Sequence, residues 1–480
     1  MLTLKEYANR DALGLKALID TGDVSAVELC DIVQSAVQEL NPSLNFLIAE
    51  SPEEGSKALE IFNAKAPFSG IPFLVKEGVG MRGQPLEMGS RLGEGVLCQS
   101  DSEIVRRLKK TGVVILGSTN TPELGSAATT ESVLHGPARN PWNVNHSTGG
   151  SSGGSASAVA AGVVPIAHSS DGGGSIRTPA HCCGVFGMMP TRGRNPVGPA
   201  SNGGPICSLR NHVITRSVRD SAAMLDQLHG PEPGGRYDVT PPERSFLEAL
   251  QEMPATLRIA FSTESPSGYS SHPDCISAVI NTAKLCEDLG HQVEEATPHY
   301  SWSSFSQAFQ DYWCFGIPAR IQALEDATGK KASADNVEPS TLAQLAHGRQ
   351  LTGERLAASW MELHTITRII DTFFSHYDVL ITPTCLTPAP ILGQINAYKE
   401  GLTTSQWMDQ NVSQFAPFAP IFNITGHPAM SVPLHQSSNG LPIGVQCIGH
   451  RGAEATLLCL AAQFEHANPW ARRKPSVGVF

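Results

Sequence analysis

The chain has 480 residues, of which 41% are hydrophobic and 16% charged, as in an ordinary soluble globular protein. Its formal net charge of -11 offers no basic face to nucleic acid or to an acidic lipid surface, so we expect neither as a partner. No apolar stretch approaches the ~20 residues of a membrane span. The N-terminal segment mixes acidic and basic residues where a signal peptide would be apolar, and a cytoplasmic location is therefore expected.

Patterns of helix and strand alternate along the chain. Apolar residues at helical spacing predict helices, and short β-branched runs predict strands. Helices are expected over residues 25–40, 101–112, 155–162, 274–290, 354–374 and 453–467, and strands over 70–79, 113–117, 163–171, 257–261 and 377–384. This alternation is typical of an α/β fold with a mostly parallel sheet covered by helices on both faces.

We expect one domain over residues 1–480, because strand and helix patterns continue throughout the chain. A proline- and glycine-rich stretch predicts a loop insertion within 230–250. The polar segment 325–350 is either a lid or ordinary surface. The eleven cysteines include no CxxC pair, so we expect free thiols in a reducing compartment.

A tract of glycine and serine, HSTGGSSGGS, runs from His146 to Ser155. Flexible linkers of this composition usually separate independent modules, whereas this tract lies inside a strand–helix–strand run. It lacks the GK[ST] of a phosphate-binding loop and does not fit GxGxxG after a strand. We therefore predict a rigid loop in which glycine allows another backbone to approach closely.

A second tract, SSDGGGSIRTPA, follows the strand VVPIA and contains Ser175. Successive glycines before this serine offer backbone N–H groups that suit an oxyanion, which makes Ser175 a candidate nucleophile. Two residues are candidates for its base. His168 lies near the same strand end, with a core histidine as the alternative interpretation. Lys76 follows the apolar run GIPFLV, where burial favours a neutral amine, with a surface charge as the alternative.

Taken together and in this order, GIPFLVKEGV, TGGSSGGS and SSDGGGSIRTPA closely resemble the amidase signature family. Similar segments elsewhere, among them GSTNTPELG, ARNPWN and GLPIGVQCIG, extend the resemblance over nearly the whole chain. The resemblance implies an α/β amidase signature fold, in which α-helices cover both faces of a large central mixed β-sheet, with a signature core over about 65–200. It also implies a catalytic triad of Lys76, Ser151 and Ser175, with a cis peptide between Gly150 and Ser151.

In that family's mechanism, Ser175 is acylated while Ser151 carries its proton to the neutral amine of Lys76. The resemblance implies an oxyanion hole made of four backbone N–H groups, those of Gly172, Gly173, Gly174 and Ser175. It requires neither a metal nor an organic cofactor.

Three further residues are expected to support this machinery. Ser152 would contribute a hydrogen bond beside the bridging serine, and Asp171 would form an ion pair with Arg177 that holds the loop. The sequence departs from the family at Gly172, where threonine or isoleucine is more usual. Since the oxyanion hole uses backbone groups, the chemistry should survive this change.

The implied activity is hydrolysis of small hydrophobic carboxylic amides, with carbamates (a urethanase activity) and esters as further small-molecule substrates. TPELGSAATTES and NPWARRKPSV look most like the subgroup of nylon-oligomer cyclic-dimer hydrolases and enzymes of aryl amides or carbamates. A glutaminyl-tRNA amidotransferase subunit is the rival, but its characteristic tyrosine- and serine-rich stretch is not seen over 305–321. A catalytically silent binding protein would have lost part of the triad, whereas all three residues are present in this sequence. A metal hydrolase would carry an HExxH motif, which this sequence lacks.

Monomer and homodimer both remain open. Large apolar side chains are candidates for an acyl pocket, with core packing as the alternative for each: Trp313, Phe315, Trp407, Phe415 and Phe418.

Overall fold

The computed structural model describes residues 2–199, 206–252 and 256–480 of the chain. Its α-helices are α1 (Leu4–Ala8), α2 (Ala12–Thr21), α3 (Ala26–Leu44), α4 (Pro52–Glu60), α5 (Glu103–Lys110), α6 (Gly153–Ala160), α7 (Arg177–Cys183), α8 (Val218–Leu228), α9 (Phe246–Ala249), α10 (Pro273–Asp288), α11 (Trp302–Phe315), α12 (Ile317–Thr328), α13 (Pro339–Gln350), α14 (Gly353–Phe373), α15 (Thr404–Met408), α16 (Pro420–Thr425) and α17 (Glu454–Ala467). Its strands are β1 (Leu47–Glu50), β2 (Pro72–Lys76), β3 (Val114–Thr119), β4 (Glu131–Ser132), β5 (Gly136–Pro137), β6 (Arg139–Asn140), β7 (Asn143–Ser147), β8 (Ile166–Asp171), β9 (Phe186–Met189), β10 (Arg210–Thr215), β11 (Arg258–Phe261), β12 (Gln292–Glu295), β13 (Val379–Pro383), β14 (Ala429–Gln436) and β15 (Pro442–Gly449).

Eleven of these strands form one mixed sheet in the order β1-β3-β2-β8-β10-β9-β14-β15-β13-β11-β12. Only β3–β2, β2–β8, β13–β11 and β11–β12 are parallel pairs, and the others are antiparallel. The mixed sheet implied by the family resemblance is confirmed, and the mostly parallel sheet is wrong. Helix–strand crossovers produce parallel neighbours towards both edges, whereas the centre contains the β14–β15 hairpin and the reversed strands β9 and β10.

Hydrophobic clusters cover both faces of this sheet. Successive residues of a strand point to opposite faces, and Ile259 and Ala260 of β11 accordingly belong to different clusters. One cluster includes residues of α8, α10 and α17, and the other includes residues of α3, α6, α11 and α14. The N-terminal segment joins the second cluster through buried Tyr7 and Leu15, so it packs on the core.

The predicted helices and strands occur within a few residues of their expected bounds. The stretch 230–245 contains neither helix nor strand, and α9 follows it. The segment 325–350 consists of the end of α12, a loop and α13, and its Val337 and Leu345 are buried in a small cluster with Leu124. Within the described part of the chain, no helix has the length and apolar character needed to span a membrane.

The glycine- and serine-rich tract connects β7 to α6 and is buried from Ser147 to Ser155. Backbone atoms of other segments approach its glycines closely. A methyl group on Gly150 would lie 2.4 Å from the carbonyl oxygen of Thr129, and one on Gly154 would lie 2.5 Å from Asn120 N. Since real side chains do not tolerate such distances, the tract is a rigid loop that requires glycine, as predicted, and is not a linker.

This packing predicts that Gly154→Ala lowers the free energy of unfolding by more than ~2 kcal/mol, because its methyl group would displace neighbouring backbone. Gly172→Ala is the matched control, since its methyl group would lie 3.6 Å from the Trp313 ring, an ordinary contact. We expect the control to change stability by less than ~1 kcal/mol. Denaturant midpoints followed by circular dichroism measure both values, and equal midpoints would contradict the close packing.

Candidate active site

Lys76 ends β2, a fully buried strand that lies between β3 and β8. Its side chain is 5% exposed, and its Nζ lies 2.7 Å from Ser151 Oγ and 3.1 Å from Ser170 Oγ. Ser170 belongs to the neighbouring strand β8, and Ser151 belongs to the glycine-rich loop. The structure therefore brings the predicted lysine and bridging serine into direct contact, 75 residues apart in sequence.

Burial lowers the pKa of Lys76 from its usual 10.5 to about 7, against the opposing charges of Asp171 and Glu77. No acidic side chain among the described residues forms an ion pair with its amine. Two neutral hydroxyl groups take that place, and they stabilise a positive charge less than a carboxylate would. A large fraction of the amine is consequently uncharged near neutral pH, which lets it accept a proton.

The bridging serine is held by its loop. The peptide bond between Gly150 and Ser151 is cis, as the family resemblance implies. Thr121 Oγ1 donates to the carbonyl oxygen of Ser151 at 3.0 Å. Ser152 Oγ donates to the carbonyl oxygen of Ser170 at 3.2 Å, which ties the loop to β8.

Ser175 lies in the short connection between β8 and α7, and its side chain is 8% exposed. Asp171 and Arg177, which flank this connection, form a fully buried pair with two contacts of 3.0 Å. Burial by itself would raise the pKa of Asp171, but the charge and hydrogen bonds of Arg177, with further donors, lower it to about 2. Asp171 also accepts from the N–H groups of Gly174 at 2.6 Å and Ile176 at 3.1 Å.

One of the four predicted oxyanion donors, the Gly174 N–H, already has a hydrogen-bond partner in the structure. Because the Gly174 N–H already donates to Asp171, it is held by the carboxylate in this structure. Gly174 also has a φ of +131°, a conformation that favours glycine. Gly173, Gly174 and Ser175 line a cavity, which Gly150 of the bridging loop also lines.

Sequence reasoning missed two polar residues that hold the ion pair. Arg177 donates to Asn423 Oδ1 at 2.5 Å and to Gln446 Oε1 at 2.7 Å, and Asn423 Nδ2 donates to Asp171 Oδ1 at 2.9 Å. Both residues lie in segments, FNITG and GVQCIG, that belong to the family resemblance. A buried asparagine or glutamine in an apolar strand or helix is the sequence signal that points to such a role.

The cavity wall is mostly apolar. α11 contributes Phe309 and Trp313, and the region after α15 contributes Asn411, Val412 and Ala416, next to Met408. Trp313 Nε1 donates to Ser126 Oγ at 2.6 Å, and Asn411 Oδ1 accepts from the Ala128 N–H at 2.7 Å. These hydrogen bonds fix the side chains that form this part of the cavity wall.

Of the five aromatic residues considered for an acyl pocket, only Trp313 lines this cavity. Phe315 is 41% exposed, whereas Phe415 and Phe418 are buried in the core. Trp407 is also buried and lines a neighbouring cavity. On a helix, the burial of each aromatic depends on which face meets the protein, and the sequence does not reveal this where apolar residues occur on several faces.

The other candidate base, His168, is fully buried in β8. Burial, with the nearby charge of Lys76, lowers its pKa to about 3. Among the described residues, no hydrogen bond joins it to Ser175. The structure therefore favours the core interpretation of this histidine.

Comparison with known proteins places this geometry in a family. The sequence model of the Amidase family matches residues 27–458. The 6-aminohexanoate-cyclic-dimer hydrolase of Paenarthrobacter ureafaciens is 35% identical over 480 residues, which cover 98% of this chain and 97% of that protein.

Solved structures agree with the sequence comparison. A 6-aminohexanoate cyclic dimer hydrolase complexed with substrate matches with a TM-score of 0.92 and 33% identity, covering 98% of this chain and 99% of that one. A bacterial aryl acylamidase of the amidase signature family matches with a TM-score of 0.86 and 25% identity, covering 96% and 97%. The chain therefore belongs to the amidase signature family of amide hydrolases.

Proposed function

We propose that this enzyme hydrolyses small hydrophobic amides through an acyl-enzyme on Ser175, with Ser151 and Lys76 as its proton relay. The observation that carries the proposal is the 2.7 Å contact between a buried, readily uncharged amine and Ser151 Oγ. Ser175 lines the same cavity as Gly150, the residue before the bridging serine. A buried amine that is neutral near pH 7 suits a general base.

In the proposed reaction, Ser175 Oγ attacks the carbonyl carbon of the amide. Its proton passes to Ser151, whose own proton passes to Lys76. The protonated amine then returns a proton through Ser151 to the leaving nitrogen, the C–N bond breaks, and the acyl group remains on Ser175. Water attacks this ester, which releases the acid and restores the serine.

Backbone donors would stabilise the negative oxygen formed in each step. We assign this role to the N–H groups of Gly172, Gly173 and Ser175, because Gly174 donates to Asp171. One such donor typically contributes ~3 kcal/mol to transition-state stabilisation. The buried pair of Asp171 and Arg177 would hold these donors in place before the substrate binds.

Two hydroxyl groups would support the relay without entering it. Ser170, the second partner of the amine at 3.1 Å, limits the directions in which Lys76 Nζ can point. Ser152 connects the bridging loop to the backbone of Ser170 at 3.2 Å. Misplacing a reacting group by ~1 Å can reduce the rate about a hundredfold, so both contacts should matter for activity.

The apolar wall formed by Phe309, Trp313 and Val412 supports a hydrophobic acyl or aryl group as the part of the substrate that binds there. The similar proteins act on an aminohexanoate cyclic dimer and on aryl acylamides by their names. We therefore propose amides of these two kinds as substrates, with esters and carbamates of similar shape as further ones.

We also propose a cytoplasmic location. All eleven cysteines are free, and ten of them are buried. Burial raises the pKa of such thiols, as for Cys275 to about 12, which keeps them protonated and unreactive.

Ser175→Ala should abolish both hydrolysis of a p-nitroanilide and formation of an acyl-enzyme, because no other group replaces the nucleophile. Intact-mass spectrometry of the wild-type enzyme quenched during turnover should show the added acyl mass. Ser152→Ala is the control from the same site, and we expect it to keep the acyl-enzyme with a rate reduced about tenfold. Turnover retained by Ser175→Ala would remove Ser175 from its assigned role.

Lys76→Ala should reduce amide hydrolysis by several orders of magnitude and hydrolysis of the matching p-nitrophenyl ester far less, because nitrophenolate leaves without a proton. The two substrates carry the same acyl group, so kcat/KM for each isolates the demand for proton transfer. Equal losses for amide and ester would argue against the relay.

The pH profile should follow the lysine. A base must be uncharged to accept a proton, so kcat/KM for the amide should fall as the pH drops through about 7, the pKa of Lys76. Burial also raises the pKa of Glu77 to about 7, so Glu77→Gln is needed to assign this limb. Because the charge of Glu77 raises the pKa of Lys76, that variant should keep the limb at lower pH. Disappearance of the limb would assign it to Glu77.

A further inference from the structure

A second cavity adjoins the catalytic one. It is small, with room for about one water-sized group, and Ser126 and Ala127 line both cavities. Three glutamates and two large aromatic residues are part of its wall: Glu123, Glu131, Glu338, Tyr398 and Trp407. The proton relay described above uses none of these residues.

The three carboxyl groups have no cationic side chain in direct contact among the described residues. The charges of Arg91, near Glu123 and Glu338, and of Arg139, near Glu131, lower their pKa values from a longer distance. Glu123 and Glu338 are 3% and 4% exposed. Among the residues that the structure describes, none of the three glutamates forms an ion pair. Burial, together with the charge of Glu123, raises the pKa of Glu338 to about 8. A buried acid in this condition gains much from a cation beside it.

Their present partners are neutral donors. Glu123 accepts from Ser90 Oγ at 2.6 Å and from the Glu338 N–H at 3.0 Å. Glu338 accepts from the Val133 N–H at 2.9 Å, and Glu131 Oε2 accepts from the Gly393 N–H at 2.8 Å. These contacts position the carboxyl groups. Burial favours their neutral form, so a cation placed beside them would restore the charged form.

Among the described residues, two buried polar atoms of the cavity wall have no hydrogen bond of good geometry, although the hydroxyl groups of Thr129 and Ser147 approach the Glu131 carboxyl group and lower its pKa. The two atoms are Glu131 Oε1, an acceptor, and Nε1 of Trp407, a donor on a side chain that is only 1% exposed. Buried polar atoms are paired in the great majority of cases, so a group that enters the cavity can gain hydrogen bonds from these two atoms. An ammonium group can donate to Glu131 Oε1, and a water molecule beside it can accept from the indole N–H.

The residues of the cavity wall favour an organic cation over a metal ion. Among the described residues, no group of three His, Cys, Asp or Glu side chains is arranged to hold a metal ion. Tyr398 and Trp407 add aromatic rings, which attract organic cations through their faces. A primary ammonium has three N–H donors to distribute among several carboxylate oxygens.

We infer that this cavity is a subsite for the primary ammonium group of an ω-aminoalkyl substrate, whose amide reaches the nucleophile past Ser126 and Ala127. The subsite gives the proposed amidase a preference for amides of ω-amino acids over amides of plain fatty acids. This inference rests on the proposed function in one respect, the position of the amide at Ser175. Binding of the ammonium group in the cavity does not require that cleavage follows.

Binding without turnover tests the subsite directly. Isothermal titration calorimetry on the Ser175→Ala protein compares hexylammonium chloride with 1-hexanol, which has a similar chain and no charge. We expect hexylammonium to bind at least about tenfold more tightly than hexanol. Glu131→Gln and Glu338→Gln should each remove most of that difference, since glutamine keeps the shape and the acceptor oxygen but not the charge.

Asp335→Asn is the matched control, because it removes one negative charge from an exposed position three residues before Glu338. It should keep the full preference for hexylammonium. Equal affinity of the wild-type cavity for hexylammonium and hexanol would overturn the inference, as would an equal loss in the control variant.

Kinetics then connects the subsite to the reaction. The 6-aminohexanoyl and heptanoyl p-nitroanilides differ only in an ammonium group that replaces a methyl group. The ratio of their kcat/KM values should favour the amino substrate, fall at least about tenfold in Glu338→Gln through a higher KM, and stay unchanged in Asp335→Asn.

The two assays separate the possible failures. Ammonium binding with no cleavage of either anilide would keep the subsite and reject the proposed activity. Cleavage of both anilides at equal kcat/KM would keep the activity and reject the subsite.

Discussion

The proposed active site depends on one constraint, which is that the amine of Lys76 must lose its charge before it can act as a base. Lys76 is buried at the end of a strand without a carboxylate partner, and its two contacts are hydroxyl groups of Ser151 and Ser170. A carboxylate at this position would hold the amine protonated and prevent it from acting as a base. Burial disfavours the charged form of the lysine and therefore leaves its amine able to accept a proton near neutral pH, a common compromise between stability and activity.

A second buried interaction connects this chemistry to the rest of the fold. The Asp171–Arg177 pair joins the end of β8 to the start of α7, and through Asn423 and Gln446 it reaches residues some 250 positions later. A buried ion pair is stable only when its remaining donors and acceptors are satisfied. This requirement explains why distant polar side chains converge on the loop that carries Ser175.

The acidic cavity beside the active site contains further buried ionisable groups, which are the carboxyl groups of three glutamates. At Lys76 and at Asp171, the fold either neutralises a buried group or pairs it. Among the described residues, the carboxyl groups of Glu123, Glu131 and Glu338 form no ion pair, one oxygen of Glu131 has no hydrogen bond, and all three groups line a cavity beside the catalytic one. The difference suggests that the missing charge comes from outside the chain. The ammonium group of the substrate would then be the cation that contacts these buried carboxyl groups.

The sequence by itself determined the family and most of the local structure. Lys76, Ser151 and Ser175 each lie in a contiguous motif that the sequence shows directly. Helices such as α10 are predicted by apolar residues at helical spacing and by a glycine just after the helix. Glycine was needed at Gly154 because backbone atoms approach it, which a short tract can indicate. Each of these conclusions depends on neighbours in the chain or on a motif that is contiguous.

Only the tertiary structure decided what depends on distant segments meeting. The direction of each strand relative to its neighbour depends on which strands come together in the sheet. The central pairs are antiparallel, so the prediction of a mostly parallel sheet was wrong. The cavity wall contained Phe309 and Trp313 but not Phe315, because the orientation of α11 depends on what it packs against. Asn423 reached Asp171, and Glu338 reached Glu123, across some 250 and 215 residues. No local pattern encodes such contacts, since they arise from the packing of the whole sheet and its helices.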